Sequence, residues 1–138
     1  MTTGVSNMAT IQGIYEAFGR GDVPFIISQM AEDVAWEDFA DNSATKAGVP
    51  WLVGGTGIPA VAAFFQVVGA WQPNSFEVKA LFDGGNKVVA EIEADFNIGG
   101  GKRFADQELH MWTLNAEGKV SAFRHYVDTA KHIAVAQS

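Results

Sequence analysis

Three histidines and a small set of carboxylates are the residues of this chain best suited to moving protons. Asp38 closes the segment AEDVAWED. Val34, Trp36 and Asp38 alternate with Ala35 and Glu37 at the period of a strand. That parity puts Asp38 on one face with the Trp36 indole and turns Glu37 toward solvent. A carboxylate beside an indole on an apolar face suits proton abstraction next to a carbonyl. The plainer reading of Asp38 is a solvated acid at a loop edge. His110 and His125 lie further on, in alternating segments. If residues 115–118 form a four-residue hairpin loop, Leu114 faces Lys119, His110 opposes Phe123 and Glu108 opposes His125. One face then carries Asp106, Glu108, His110 and Trp112 beside Phe123, His125 and Val127. Two histidines and an acid on an apolar face are costly unless they pair. Glu108 with His125 is the natural pair, and it would orient the ring. The same three groups also have the make-up of a two-histidine, one-carboxylate metal site. Polar side chains merely lining a wet cavity are the plain alternative for both histidines.

Around these groups stand candidates for holding a ligand. Trp36, Trp112 and Phe123 share the inward face and could stack on a flat molecule, or simply form core. Tyr15 sits on the apolar stripe of the first helix and could present its hydroxyl to a pocket. Trp51 lies in a glycine-rich loop and could lid the pocket mouth. The run Gly54-Gly55-Thr56-Gly57 is not a nucleotide-binding loop, because neither a strand–helix fingerprint nor a P-loop lysine surrounds it. Asp128 reads as a helix cap.

These groups need a scaffold, and the sequence supplies one in two halves. Met8, Ile11, Ile14, Tyr15 and Phe18 recur at helical spacing after Ser6, a plausible N-cap. Asp22 caps a second short helix running to about Met30, with Pro24 in its first turn. A short strand covers residues 34–38, and 39–56 read as a long irregular stretch. A third helix spans about 58–68. From about residue 75 the period changes to two. Strands are expected at 76–82, 88–98, 103–114 and 120–127, separated by Gly- and Asn-rich turns, with a last short helix after Asp128. Helices followed by an antiparallel meander define an α+β fold, helices on one face of a curved sheet. The outward face would carry Leu109, Met111, Ala122 and Tyr126, which is too apolar to stay wet.

Composition narrows the rest. A chain of 138 residues reads as one domain over 1–138. Sixteen acids against nine bases give a net charge of −7, which disfavours nucleic-acid binding. The absence of cysteine excludes disulfides and thiol nucleophiles and fits a cytoplasmic protein. No apolar run is long enough to span a membrane.

Three stretches together carry a resemblance: IYEAFGRGDVPFIISQMAEDVAWED at 14–38, GIPAVAAFF at 57–65 and ELHMWTLNAEGKVSAFRHYVDTA at 108–130. In order and spacing they resemble the SnoaL-like, ketosteroid isomerase-like branch of the NTF2-like superfamily. The resemblance implies a cone, with helices closing one face of a strongly bent antiparallel or mixed sheet around a pocket. Its members include isomerases, polyketide cyclases, dehydratases, epoxide hydrolases and binding proteins without turnover, so fold alone does not name the chemistry. It puts Asp38 where ketosteroid isomerases carry their general base and His110 where they carry an oxyanion-binding acid. Their first-helix tyrosine aligns with Ile14, one position from Tyr15, so a true steroid isomerase is not expected. What it implies is a small acid/base enzyme free of cofactor and metal, acting on a hydrophobic carbonyl compound. Asp38, His110 and His125 would be catalytic. Tyr15, Trp36, Trp51, Glu108, Trp112 and Phe123 would line the ligand. The alternative is a small-molecule-binding protein with the same cone. Relatives pair through the outer sheet face, so a homodimer is expected, without nucleic-acid or membrane partners.

Overall fold

The computed structural model describes residues 6–37 and 41–138. Asp38, the expected base, lies outside them. Helix α1 spans Asn7–Gly19, with the Ser6 hydroxyl accepting from the Ala9 N–H at 3.2 Å, and it buries Ile11, Ile14 and Ala17. Helix α2 covers Val23–Ser28 behind the Asp22 cap. It is shorter than the sequence suggests, because Met30 already pairs with Val120 in the sheet. Strand β1 therefore runs over Met30–Trp36. The stretch expected to be irregular holds α3 (Ser43–Lys46), a 3-10 turn at Pro50–Leu52 and β2 (Gly55–Thr56). Asn42 caps α3 by accepting two backbone N–H groups, a local bond that alternation patterns do not reveal. Helix α4 (Ile58–Val68) follows, then β3 (Gln72–Asp83), β4 (Lys87–Gly99), β5 (Lys102–Leu114) and β6 (Val120–Tyr126). Helix α5 (Thr129–Gln137) ends the described chain.

The six strands form one open, mixed sheet in the order β2-β1-β6-β5-β4-β3. Among the described residues only the β1–β6 pair is parallel; the other pairs are antiparallel. This is an α+β cone, and the antiparallel meander is the one the alternating sequence implies. One detail of register differs. Loop 115–118 does not bring Leu114 opposite Lys119. Leu114 pairs with Val120, a bulge follows, and Trp112 pairs with Phe123 and His110 with His125. Past the bulge the slip is two residues, so His110, Trp112, Phe123 and His125 keep their face while their cross-strand partners change.

Alternation sorts the sheet cleanly. On β4, Val88, Ala90, Ile92, Ala94 and Phe96 are buried; on β5 it is Phe104, Asp106, Glu108, His110, Trp112 and Leu114. The inner face thus changes chemistry from strand to strand. β4 contributes only apolar groups, while β5 and β6 bring the carboxylates and imidazoles. Helix α1 packs Ile11 and Ile14 into the same core as Trp36, Trp112 and Phe123. Burial of each such large side chain stabilises the fold by about 1.5–3 kcal/mol. That core fixes where Tyr15, one residue past Ile14, reaches the sheet.

Candidate functional site

The helices and the inner sheet face enclose a narrow cavity of about 70 Å³. Most of its wall is aromatic, including Phe18, Phe64, Phe65, Phe76 and Phe104. One side is polar. Tyr15, Trp36, Trp51, Glu108, His110, Trp112, Phe123 and His125 all line this space, so the candidates legible in the sequence converge, Asp38 being outside the described residues. Trp51 is only 7% exposed and packs edge-on against Trp71, so it is built into the wall and is not a lid.

The polar wall is a chain of hydrogen bonds whose proton positions follow from its donors. Trp112 Nε1–H donates to the Tyr15 hydroxyl at 2.9 Å. That hydroxyl lies 2.6 Å from His110 Nδ1. Burial pushes the Tyr15 phenol far above its ordinary range, so it keeps its proton and donates it to Nδ1. His110 must then carry its own proton on Nε2, which donates to Glu108 Oε1 at 2.9 Å. Burial, reinforced by the charge of His125, pulls His110 below the usual histidine range, in keeping with a neutral ring. Burial by itself would raise Glu108. The hydrogen bonds from His110 and His132 and the charge of His125 outweigh it and hold the carboxyl well below the ordinary range.

His125 is held differently. The expected Glu108–His125 pair is not formed, because the register sets His125 opposite His110; the two imidazoles meet edge to face at 4.5 Å. Its partner is Glu37. Oε2 of Glu37 accepts from His125 Nδ1 at 2.8 Å, and Oε1 accepts from the His125 backbone N–H at 2.6 Å. Glu37 was expected in solvent and is 4% exposed. The cause is local: its backbone N–H still bonds Phe123 as a strand residue would, but its φ is +53°. The left-handed twist ends the alternation and swings the carboxylate inward. Burial alone would lower His125; the charge and hydrogen bond of Glu37 outweigh it and raise the imidazole above its usual range.

His132 is the member sequence reasoning missed. It is 2% exposed on α5. Trp51 Nε1–H, which can only donate, gives its proton to His132 Nδ1 at 2.8 Å. Nε2–H therefore faces Asp106 Oδ2 at 2.7 Å, with Glu108 Oε2 at 3.3 Å. Lys131 approaches Asp106 from outside at 3.5 Å. The available signal was the helical stripe 129, 132, 133, 136 behind the Asp128 cap, which places His132 inward with Ile133 and Ala136.

Among the described residues, two groups have ligand atoms spaced as a cation would need, within 4.8 Å of one another: Glu108, His110 and His125, and Asp106, Glu108 and His132. In the second, the Trp51 bond leaves His132 no lone pair on Nε2. In the first, His110 would have to give up the Tyr15 proton at Nδ1. The wiring of both sets serves protons.

A bent mixed sheet with helices closing an aromatic cavity that has one polar wall defines a cone-fold pocket protein. The SnoaL-like domain family model matches residues 11–123, and the chain belongs to that family. Among curated proteins none matches. Solved structures show the same fold. An NTF2-like protein of unknown function from Burkholderia pseudomallei is 24% identical at a TM-score of 0.77, covering 98% of this chain and 100% of its own. TerC crystallised with polyporic acid is 23% identical at 0.73, covering 96% of this chain and 98% of its own. RV0760c from Mycobacterium tuberculosis, in complex with estradiol-17beta-hemisuccinate, is 19% identical at 0.72, covering 92% of this chain and 98% of its own. No described helix is long and apolar enough to cross a membrane.

Proposed function

We propose that this protein is a small acid/base enzyme acting on a flat, hydrophobic, carbonyl-containing molecule held in the aromatic cavity. The observation that carries the reading is the Glu37–His125 pair: a histidine whose ring Nδ1–H and backbone N–H both donate to one buried carboxylate, at the polar side of an aromatic cavity. The Glu37 carboxylate favours the protonated ring. Nε2 of His125 makes no hydrogen bond among the described residues, so a proton is left to offer a ligand oxygen. His110 has both ring nitrogens engaged, by Tyr15 and by Glu108. In this reading it supports the wall, orienting Tyr15 and Glu108, while His125 polarises the carbonyl. Asp38 remains the proposed base, taking the proton from the neighbouring carbon as the carbonyl electrons move onto the oxygen that His125 holds. Return of the proton to the same or another carbon completes an exchange or an isomerisation. The bound molecules of the two ligand-bearing relatives support a cavity for small organic compounds. The unit is proposed to be one domain over residues 1–138, acting as a homodimer.

The test is exchange of α-hydrogens in D2O, followed by proton NMR over a panel of aryl and alicyclic ketones. Wild-type protein is expected to exchange at least one of them faster than buffer. His125→Asn and Asp38→Asn should each slow that exchange by about 10²–10⁴-fold, the usual worth of a positioned acid or base. Equal exchange in both variants removes the catalytic assignment. Tight binding without any exchange makes the protein a carrier of such molecules.

A further inference from the structure

One buried side-chain donor among the described residues has no acceptor: Nε1 of Trp36. A buried N–H without a partner is destabilising, so such groups are rare unless something else completes them. Trp36 is 1% exposed and lines the cavity. The two other buried indoles of the cavity wall behave differently. Trp51 donates to His132 and Trp112 donates to Tyr15. The contrast therefore lies in the position of Trp36, not in indoles as a class.

The neighbours of Trp36 show what it shares. Its ring stacks on Phe123 at 4.3 Å and meets Phe64 at 5.3 Å. His125 meets the same two rings, at 4.6 Å and 5.5 Å. The indole and the imidazole thus border the same pair of phenyl rings. Each has an N–H without a protein acceptor among the described residues, because Nδ1 of His125 is spent on Glu37. A buried indole N–H and an imidazole N–H without acceptors, bordering the same two phenyl rings at the edge of the polar wall, call for an oxygen from the ligand.

We propose that Trp36 Nε1–H and His125 Nε2–H form a two-donor site for a single acceptor oxygen of the ligand, a ketone carbonyl or the enolate oxygen made from it. Trp36 is then a ligand-binding residue through its N–H as well as its ring. The proposal rests on His125 as a donor, and it adds a selection rule. The end of the ligand that enters here carries an acceptor and no hydrogen of its own to donate, so a ketone is preferred over a matched hydrocarbon.

The probes are 1-indanone and indane, which share a flat skeleton and differ in the oxygen. The experiment uses the full chain and reads affinity by titration calorimetry. Wild-type protein is expected to bind 1-indanone the more tightly. Trp36→Phe keeps an aromatic ring and removes the N–H. It should lower the ratio of 1-indanone to indane affinity about tenfold, the scale of one hydrogen bond, because the smaller ring weakens both probes alike. A second measurement does not depend on the variant folding. In wild-type protein labelled with ¹⁵N-tryptophan, one indole N–H resonance should move downfield with 1-indanone and stay in place with indane. The indoles already bonded to His132 and Tyr15 should not respond. Equal affinity of Trp36→Phe and wild type for 1-indanone, no preference for 1-indanone over indane, or an unresponsive indole signal would each overturn the proposal. If His125→Asn abolishes exchange while Trp36→Phe keeps its selectivity, the catalytic reading stands and this one falls. If Trp36→Phe loses its selectivity while exchange is absent throughout, the donor pair belongs to a binding protein.

Discussion

A strand alternates its side chains only while each φ stays extended, and at Glu37 it does not. Parity therefore predicts the wrong side for this residue, although the same rule places Val34 and Trp36 inward as found. The inward swing carries a backbone cost of about 1–3 kcal/mol and brings two hydrogen bonds to His125 in return. Charge at this pair sets a pH dependence that can be signed. His125 titrates above its ordinary 6.5, so its contribution to stability is complete below 6.5 and is lost as pH rises through the folded value. His110 and Glu108 lie below their ordinary 6.5 and 4.5, so their contributions are present above those values and fade as pH falls. Stability should peak near neutrality and decline on both sides in urea melts. Glu37→Gln removes the cause of the His125 shift. The alkaline decline should then disappear, and stability at neutral pH should fall by about 3–5 kcal/mol, the cost of stranding one member of a buried pair. An unchanged alkaline limb in that variant would show that Glu37 does not govern His125.

Elements were more legible than their pairings. Helical spacing gave α1 and α4, and alternation gave the meander, because each depends on the local sequence. What the local sequence could not show was the bulge in the β5–β6 hairpin, where the register shifts between Thr113 and Leu114. It moved the partner of His125 without moving its face. Strand β2 depends on Gly57, whose φ of +87° and Glu32 carbonyl 3.2 Å from a would-be Cβ leave little room for any other residue. The Asp128 cap of helix α5 is legible in the sequence, whereas its inward histidine is not, because a short helix gives a weak stripe. The cap is now the lever on that histidine. Asp128 accepts from the Lys131 N–H at 3.2 Å. Asp128→Ala should lower stability by about 0.5–2 kcal/mol and loosen the Trp51–His132 bond. Denaturant midpoints give the first effect. Faster exchange of the Trp51 indole N–H gives the second, and its absence would mean that the sheet alone holds His132.

At the scale of the whole molecule, the cone leaves its outer sheet face in water. Leu109 is 45% exposed there and Tyr126 43%, and the two are direct cross-strand neighbours. Met111 and Ala122 continue the apolar strip, while Glu91, Glu93 and Gln107 flank it. An apolar centre with a polar rim is the make-up of a protein interface. The expected homodimer would bury at least about 1,000 Å² in total, the lower range for a specific contact. Leu109→Lys tests it with little risk to the fold, because Leu109 faces Glu91 across the strand and a lysine there gains an opposite charge. In a two-fold pair the same substitution sets a charge into the apolar centre of both copies. Light scattering at micromolar concentration should therefore report a dimer for the wild type and a monomer for Leu109→Lys, with circular dichroism unchanged. A monomeric wild type would leave Leu109 and Tyr126 as ordinary surface residues. A dimer that tolerates the lysine would place the contact on another face of the cone.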